Sequence, residues 1–261
     1  MLSASGQAHA AYWDELSEEY QSQTNISLTD FHYGPLLPGE QELGLLPSSL
    51  TGKTCLELGC GAGQNSIVLA KAGAICTAID VSQAMLDHGK RLADQESVSS
   101  DFRKADLDDL PNFGSSSFDL IHSAYGIPFS SNPEKVIQRC SKLLKPGGTL
   151  LFSMGHPVYA GEWLELDDEQ GLFLSSYFQP TPDAREGSSS DALSRAFPLS
   201  EVAEWIIKAG LQLDRLLEPA ALPDNRLHEA PYYSEAWAEQ AEALRKFPIV
   251  VIYRATKPST L

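Results

Sequence analysis

Three glycines alternate in the run Gly59-Cys60-Gly61-Ala62-Gly63, directly after the apolar stretch Thr54 to Leu58 and before a second apolar stretch from Asn65. A turn of this kind between a strand and a helix lets a ligand approach the backbone, with the helix N-terminus behind it. Dinucleotide-binding turns read GxGxxG, the last glycine giving room where helix packs on strand. Here Gln64 stands in that place, which argues against a nicotinamide or flavin. Carboxylates stand nearby in the chain: Glu57 inside the apolar stretch 54–58, Asp80 closing that at 74–79 and Asp106 just past that at 102–105. For proton transfer the first candidate is His156, in Met154-Gly-His-Pro beyond the fifth apolar stretch. Strand C-termini face the site in open α/β sheets, and a neutral imidazole accepts a proton near neutral pH. His32 and Tyr33 are the second candidates; a histidine satisfied by backbone is the alternative for His156. His122 falls within a buried strand, while His9, His88 and His228 read as surface residues.

The elements that position these groups alternate between strand and helix. Strands are expected at 54–58, 74–79, 102–105, 118–123 and 149–154, and helices at 65–72, after Ser82 and after Asn132-Pro133. Asn before Pro suits a cap followed by the first helical position, and Ser82 suits a cap for a helix burying Met85, Leu86 and Leu92. The order strand-helix-strand implies a parallel sheet covered on both faces. A helix at 201–209 and strands at 211–217 and 249–254 complete it. Before the sheet, Tyr12, Leu16 and Tyr20 recur at helical spacing. Gly34, Pro35 and Pro38 then forbid continuation. An acidic, aromatic stretch at 157–200 carries turn signals at Asp167 to Gly171 and at 187–190, suggesting a hairpin and a mobile loop; a second insertion at 218–248 carries Tyr232, Tyr233 and Trp237. The units are therefore an N-terminal cap at 1–50, a core at 51–156, a lid insertion at 157–200, and the second half of the core at 201–261.

Five segments in order carry a family resemblance: Cys55-Leu-Glu-Leu-Gly-Cys-Gly-Ala-Gly-Gln-Asn, Asp80 at a strand end, Ala105-Asp-Leu, Phe118-Asp-Leu-Ile-His-Ser-Ala-Tyr, and Leu144-Lys-Pro-Gly-Gly-Thr-Leu-Leu-Phe. Together they resemble the class I methyltransferases dependent on S-adenosylmethionine, in particular the small-molecule, type-11-like members. The resemblance implies an α/β fold: a doubly wound, Rossmann-like, mostly parallel sheet of seven strands in the order 3-2-1-4-5-7-6. The seventh strand is antiparallel, and a helical cap and lid segments are added. It further implies that Glu57, Gly59, Cys60, Gly61, Gly63 and Asn65 surround the cofactor, S-adenosylmethionine, which leaves as S-adenosylhomocysteine. Asp80 would accept both ribose hydroxyls, with Val81, Ser82 and Met85 beside it. Asp106 would accept the adenine amino group between Ala105 and Leu107, and Ser123, Ala124 and Tyr125 would close the site from strand 4. Tyr20 resembles a tyrosine that covers the methionine carboxylate, with packing on the helix face as the alternative. Asp106 also lies among Asp108 and Asp109, so a solvated acidic turn stays open.

Methyl transfer is an in-line displacement, and orientation supplies much of its rate. The acceptor can be O, N or C, because several class marks are missing: no Asn/Asp-Pro-Pro-aromatic motif follows strand 4, no Pro-Cys pair sits there, and no metal-binding set of carboxylates is evident. The stretch Arg195-Ala-Phe-Pro-Leu-Ser also departs from a His-Arg pair common in relatives. A net charge of -16 with no Lys/Arg cluster excludes a nucleic-acid track and points to a small-molecule acceptor. No apolar run is long enough to span a bilayer, and residues 1–20 lack the basic start of a signal peptide. Cys55, Cys60, Cys76 and Cys140 show no CxxC pairing and read as reduced core thiols of a cytoplasmic protein. A relative that keeps the cofactor without methylating, and more remotely a nicotinamide-dependent dehydrogenase, are the competing readings.

Overall fold

A computed structural model describes residues 2–259 except 167–168, 186 and 188–189. The turn signals at 167–168 and at 188–189 lie outside the described residues. Seven strands form one sheet: β1 (Thr54–Leu58), β2 (Ile75–Asp80), β3 (Ser100–Lys104), β4 (Phe118–Ala124), β5 (Leu144–Gly155), β6 (Gln212–Leu217) and β7 (Val250–Thr256). Their spatial order is β3-β2-β1-β4-β5-β7-β6, with β7 antiparallel to both neighbours and the other pairings parallel. This is the order the motifs imply.

The central strands β1, β4, β5 and β7 are largely apolar on both faces because each face carries its own core. Along a strand successive side chains point to opposite sides, and the two clusters divide accordingly. Leu56, Ile121, Phe152 and Tyr253 fall on one face, and their neighbours Cys55, Leu120, Leu151 and Ile252 on the other. Helices α4 (Pro133–Leu143) and α5 (Leu199–Lys208) cover the first face through Val136, Ile137, Cys140, Val202, Trp205 and Ile206. The second face is covered by α2 (Gln64–Lys71) and by chain from both the N-terminal region and the 218–248 insertion, including Phe31, Tyr33, Leu36, Leu222 and Leu244. Residues 31–37 are therefore core as much as cap.

Capping places the helices where the sequence suggests. Ser82 Oγ accepts from Met85 N at 3.1 Å to start α3 (Gln83–Gln95), and Asn132 Oδ1 accepts from Lys135 N at 2.9 Å to start α4. Strand β5 begins earlier than the apolar run predicts. Leu144 already pairs with Phe118, and the register shifts so that Thr149 faces Leu120, absorbing Lys145-Pro-Gly-Gly as a bulge. At the far end of the strands Asp119 accepts from Thr54 N (3.0 Å) and Lys145 Nζ (2.7 Å), which holds its carboxyl below the usual range and ties β1, β4 and β5 away from the glycine turn.

The N-terminal helix α1 (Ala4–Gln23) is longer than its aromatic spacing suggests. Its buried residues include Gly6, His9, Ala10 and Ser17 as well as Tyr12. That stripe is mostly small or polar, so hydrophobic periodicity does not reveal it. Asp14 fixes the helix to the sheet domain by accepting from Ser82 Oγ (2.6 Å) and Ala84 N (3.0 Å) at the start of α3.

Candidate active site

The C-terminal ends of β1, β2 and β4 form the floor of a cavity of about 300 Å³, roofed by α1 and by residues near 26–35, 185 and 232–237. A volume of this order suits a small ligand. In the floor, Gly59 and Gly61 take left-handed φ values of 63° and 54°. A Cβ on Gly59 would stand 2.7 Å from the Cα of Gly126, so the turns after β1 and β4 meet backbone to backbone. Around Gly61 nothing lies within 4 Å of that position, which leaves the turn open to the cavity.

Asp80 Oδ2 accepts from Gly61 N at 2.8 Å and Oδ1 from Ser82 N at 2.9 Å. Each oxygen keeps capacity for a further donor, and burial pushes the carboxyl up to about 6. A ribose diol offers two donors to such a pair, so this end fits a nucleoside. Glu57 also lines the cavity; its Oε2 accepts from Ser66 N (3.0 Å) and Ser66 Oγ (2.5 Å), and burial pushes it up to about 8. Asp106 and Asp108 add two more carboxylates. A ligand carrying a sulfonium and an ammonium complements this wall. Asp106 is less open than Asp80: Oδ2 accepts from Ser3 N (2.8 Å) and Ser3 Oγ (2.7 Å), and Oδ1 from Asp108 N (2.9 Å). The start of α1 thus rests on the carboxylate that the motif assigns to adenine, and a Cβ on Gly6 would overlap it.

The cavity is lined by Tyr20, Glu57, Gly59, Cys60, Gly61, Asp80, Val81, Met85, Ala105, Asp106, Leu107, Ala124 and Tyr125, together with His32. Five sequence candidates stand outside that lining and support it instead. Gly63 caps α2 against the ring of Phe102. Asn65 is fully buried and clamps His32, accepting from its N–H at 2.9 Å and donating to its carbonyl at 3.0 Å. Ser82 is spent on capping α3 and on Asp14. Ser123 Oγ donates to Leu58 O at 2.8 Å and accepts from Gly126 N, bracing the contact between the two turns. Tyr33 is buried and donates to Glu40.

His156 also lies outside the lining. Its Nδ1 accepts from Val158 N at 3.1 Å, starting the turn Pro157–Ala160, and its Nε2 meets Glu218 Oε1 at 2.7 Å. The side chain thus faces its own turn and Glu218. Among the three acceptor-side candidates His32 alone reaches the cavity. Its ring meets that of Tyr232 edge-on at 5.4 Å, its Nδ1 is buried without a hydrogen-bond partner, and burial lowers it to about 4. Behind it His122 is wholly buried and lowered to about 3, its Nδ1 3.9 Å from Glu57 and beyond hydrogen-bonding range.

The roof of the cavity is aromatic. Tyr20 and Tyr232 share a hydrogen bond of 2.8 Å between hydroxyls, and Trp13 stands edge-on to Tyr20 and Phe129. Trp13, Phe129, Arg185, Tyr232, Trp237 and His9 were not singled out as site residues by sequence. His9 is a correction: it is buried beside Phe129 and accepts from Leu193 N at 3.3 Å, where a surface position was expected. The available signal was the spacing of Gly6, His9, Trp13 and Tyr20 on one helix face. Among the described residues no cluster of three or more His, Cys, Asp or Glu could hold a metal ion, and no helix is long and apolar enough to cross a membrane.

Comparison with known proteins agrees with this geometry. Residues 56–152 match the family described as "Methyltransferase domain". A ubiquinone biosynthesis O-methyltransferase of Coxiella burnetii is 36% identical over 105 residues, covering 40% of this chain and 44% of that protein. The chain thus spans less than half the length of the curated relatives it matches. A solved S-adenosylmethionine-dependent methyltransferase from Mesorhizobium loti superposes with a TM-score of 0.66 at 22% identity, covering 82% of this chain and 94% of the other. One from Listeria monocytogenes gives 0.67 at 21% identity, covering 84% and 96%. Residues 56–152 thus match a methyltransferase domain, and the sheet built around them has the fold of solved S-adenosylmethionine-dependent methyltransferases.

Proposed function

We propose that this chain transfers the methyl group of S-adenosylmethionine to an oxygen of a small aromatic acceptor. The observation that carries the reading is one continuous cavity whose two ends, a floor of strand tips and an aromatic roof, differ chemically. The open Gly59–Gly61 turn and the half-satisfied Asp80 lie at one, and the Tyr20–Tyr232 pair and His32 at the other. The O-methyltransferase relatives favour oxygen as the accepting atom.

When bound, S-adenosylmethionine supplies an electrophilic methyl on a sulfonium. Asp80 holds the ribose, and the glycine turn lets the amino-acid portion lie against backbone. Trp13, Tyr20, Tyr125 and Tyr232 exclude water and orient a planar acceptor, and orientation of this kind supplies a large share of the rate. His32 takes the hydroxyl proton. Burial keeps its imidazole neutral in the resting cavity. The carboxylates that line the cavity would favour the imidazolium that His32 becomes on taking the proton.

The test is incubation with methyl-labelled S-adenosylmethionine and a set of phenols and catechols plus a metabolite extract, following S-adenosylhomocysteine and labelled ether. Acceptor-dependent turnover that Asp80→Ala lowers is expected. Turnover no higher than that of Asp80→Ala, from a protein that binds S-adenosylhomocysteine, would overturn the reading.

A further inference from the structure

Arg185 is the only Arg or Lys among the described residues that line the cavity, in a chain of net charge -16. It sits on a small hairpin in which Asp183–Arg185 pairs with Ala192–Ser194. The hairpin is anchored where it matters: Ala192 is fully buried, Leu193 N donates to His9 of α1, and Arg195 N donates to Pro128 O beyond β4 at 3.2 Å. The guanidinium stands over two rings, 5.7 Å from the centre of Trp13 and 5.4 Å from that of Phe129. Such stacking holds the planar fork in one orientation. Asp183 engages the inner nitrogen, Nε, at 2.9 Å. That contact does not use the terminal amino groups, which are the ones that grip a carboxylate in bidentate fashion.

This charge stands among the aromatic side chains of the cavity roof. Its field acts on Tyr12, Tyr20, Tyr125 and Tyr232, favouring their ionised forms against the effect of burial. Asp80 is bonded instead to the backbone N–H groups of Gly61 and Ser82, and Glu57 to Ser66. The guanidinium therefore belongs to the aromatic end. A buried or half-buried cation whose carboxylate partner occupies only one edge is costly unless a further anion meets it. The carboxylates Asp80, Asp106 and Asp108 disfavour an anion placed beside them.

We infer that Arg185 is a specificity-determining residue that binds an anionic group, a carboxylate in the first instance, on the aromatic acceptor. This rests on the methyl-transfer reading and narrows it to an aryl acid, whose ring lies among Trp13, Tyr125 and Tyr232 and whose acid group meets the lid hairpin. The one other source of a carboxylate is the methionine part of the cofactor, and the test separates the two.

Calorimetry is run on the wild type and on Arg185→Gln, first with S-adenosylhomocysteine alone. The S-adenosylhomocysteine-saturated proteins are then titrated with benzoate, 4-hydroxybenzoate and cinnamate, each paired with its methyl ester. The expected result is that at least one acid binds the wild type tenfold or more tightly than its ester. Arg185→Gln should erase that preference while leaving ester and S-adenosylhomocysteine affinities within twofold. Equal binding of every acid and its ester by the wild type overturns the proposal. So does a tenfold loss of S-adenosylhomocysteine affinity in Arg185→Gln, which would assign the guanidinium to the cofactor. Failure of the wild type to bind S-adenosylhomocysteine at all overturns the methyl-transfer reading and, with it, this one. Acid preference retained by Arg185→Gln overturns the role of Arg185 alone.

Discussion

The two ends of the cavity are built in different ways. At the nucleoside end Glu57, Gly59, Gly61, Asp80 and Asp106 all lie within three residues of the C-terminal tips of adjacent strands, so the sheet register fixes their spacing. At the acceptor end Trp13, His32, Tyr125, Arg185 and Tyr232 come from five separate stretches of chain. They are held by contacts such as Tyr20 to Tyr232 and Asn65 to His32. A strand tip is a rigid support whose position follows from topology. A roof of loops and one helix depends on side-chain bonds, any one of which can be lost. The nucleoside end should therefore respond to substitution mainly in affinity, and the acceptor end mainly in turnover.

The largest effect is expected at the acceptor end. His32→Ala should lower kcat by roughly 10²–10⁴ if the imidazole takes the acceptor proton. S-Adenosylhomocysteine affinity should change little, because Asp80 and the glycine turn do not touch His32. Since burial lowers this imidazole to about 4, kcat/KM of the wild type should hold from pH 8 down to about 5 and fall below it. A mutant with near-wild-type kcat would leave the acceptor end as a positioning device only, and the contrast between the ends would narrow to orientation.

This difference in construction also decides what was legible in the sequence. The sheet order and the open turn could be read because each is local: a strand, a glycine turn, a cap, repeated at regular intervals. Asn65, Ser82 and Ser123 fall in the same motifs yet serve as braces, and spacing does not distinguish a residue facing the ligand from one facing the residue that does. His156 was attractive because it follows β5 directly; what spacing does not reveal is Glu218, sixty-two positions later, bonding its Nε2. Arg185 was hidden for the opposite reason. It is an ordinary charged residue in an acidic stretch until the hairpin carries it over Trp13 and Phe129.

At the nucleoside end Asp80→Ala should weaken S-adenosylhomocysteine binding by about 1.5–3 kcal/mol, the worth of hydrogen bonds to a charged acceptor. Because Asp80 is raised to about 6 by burial, its ionised form fades as pH falls through that value. Wild-type affinity should decline from pH 8 to pH 5, and Asp80→Asn should flatten that dependence. Unchanged affinity in a folded Asp80→Ala, measured by calorimetry, would remove Asp80 from the ligand. The two ends would then share the same loose construction.

Glu57 tests the cost of building the floor from buried carboxylates. Its folded pKa of about 8 lies above the unfolded value, so the folded state holds a proton that the unfolded state releases between about pH 4.5 and 8. Over that window the unfolded state binds fewer protons, and the stability contributed by this group falls as pH rises. Glu57→Gln, which cannot ionise, should raise stability at pH 7 by on the order of 2 kcal/mol and reduce the pH dependence. Thermal unfolding at pH 5, 7 and 8 measures this. A loss of stability at all three values would mean that the bonds to Ser66 outweigh the desolvation.

The smallest effect on turnover is expected at His156, which puts the contrast to its most direct test because this residue lies beside the site yet outside its lining. Both ring nitrogens are engaged, Nδ1 by Val158 N and Nε2 by Glu218, and the turn at 157–160 begins from it. His156→Gln keeps an acceptor near the first and a donor near the second, so kcat should stay within about threefold, far short of the loss that removing a general base brings. The stability signature has a definite sign. Burial lowers this imidazole below its ordinary value of about 6.5, and Glu218 only partly restores it. The unfolded state therefore takes up protons first as pH falls below 6.5, and stability is lost there. His156→Gln should flatten this part of the acid profile; His32 and His122, lowered further, keep their share at more acidic pH. A fall in kcat of a hundredfold with an unchanged unfolding profile would return His156 to the chemistry, and would mean that the loop after β5 rearranges to bring its ring into the cavity when acceptor binds.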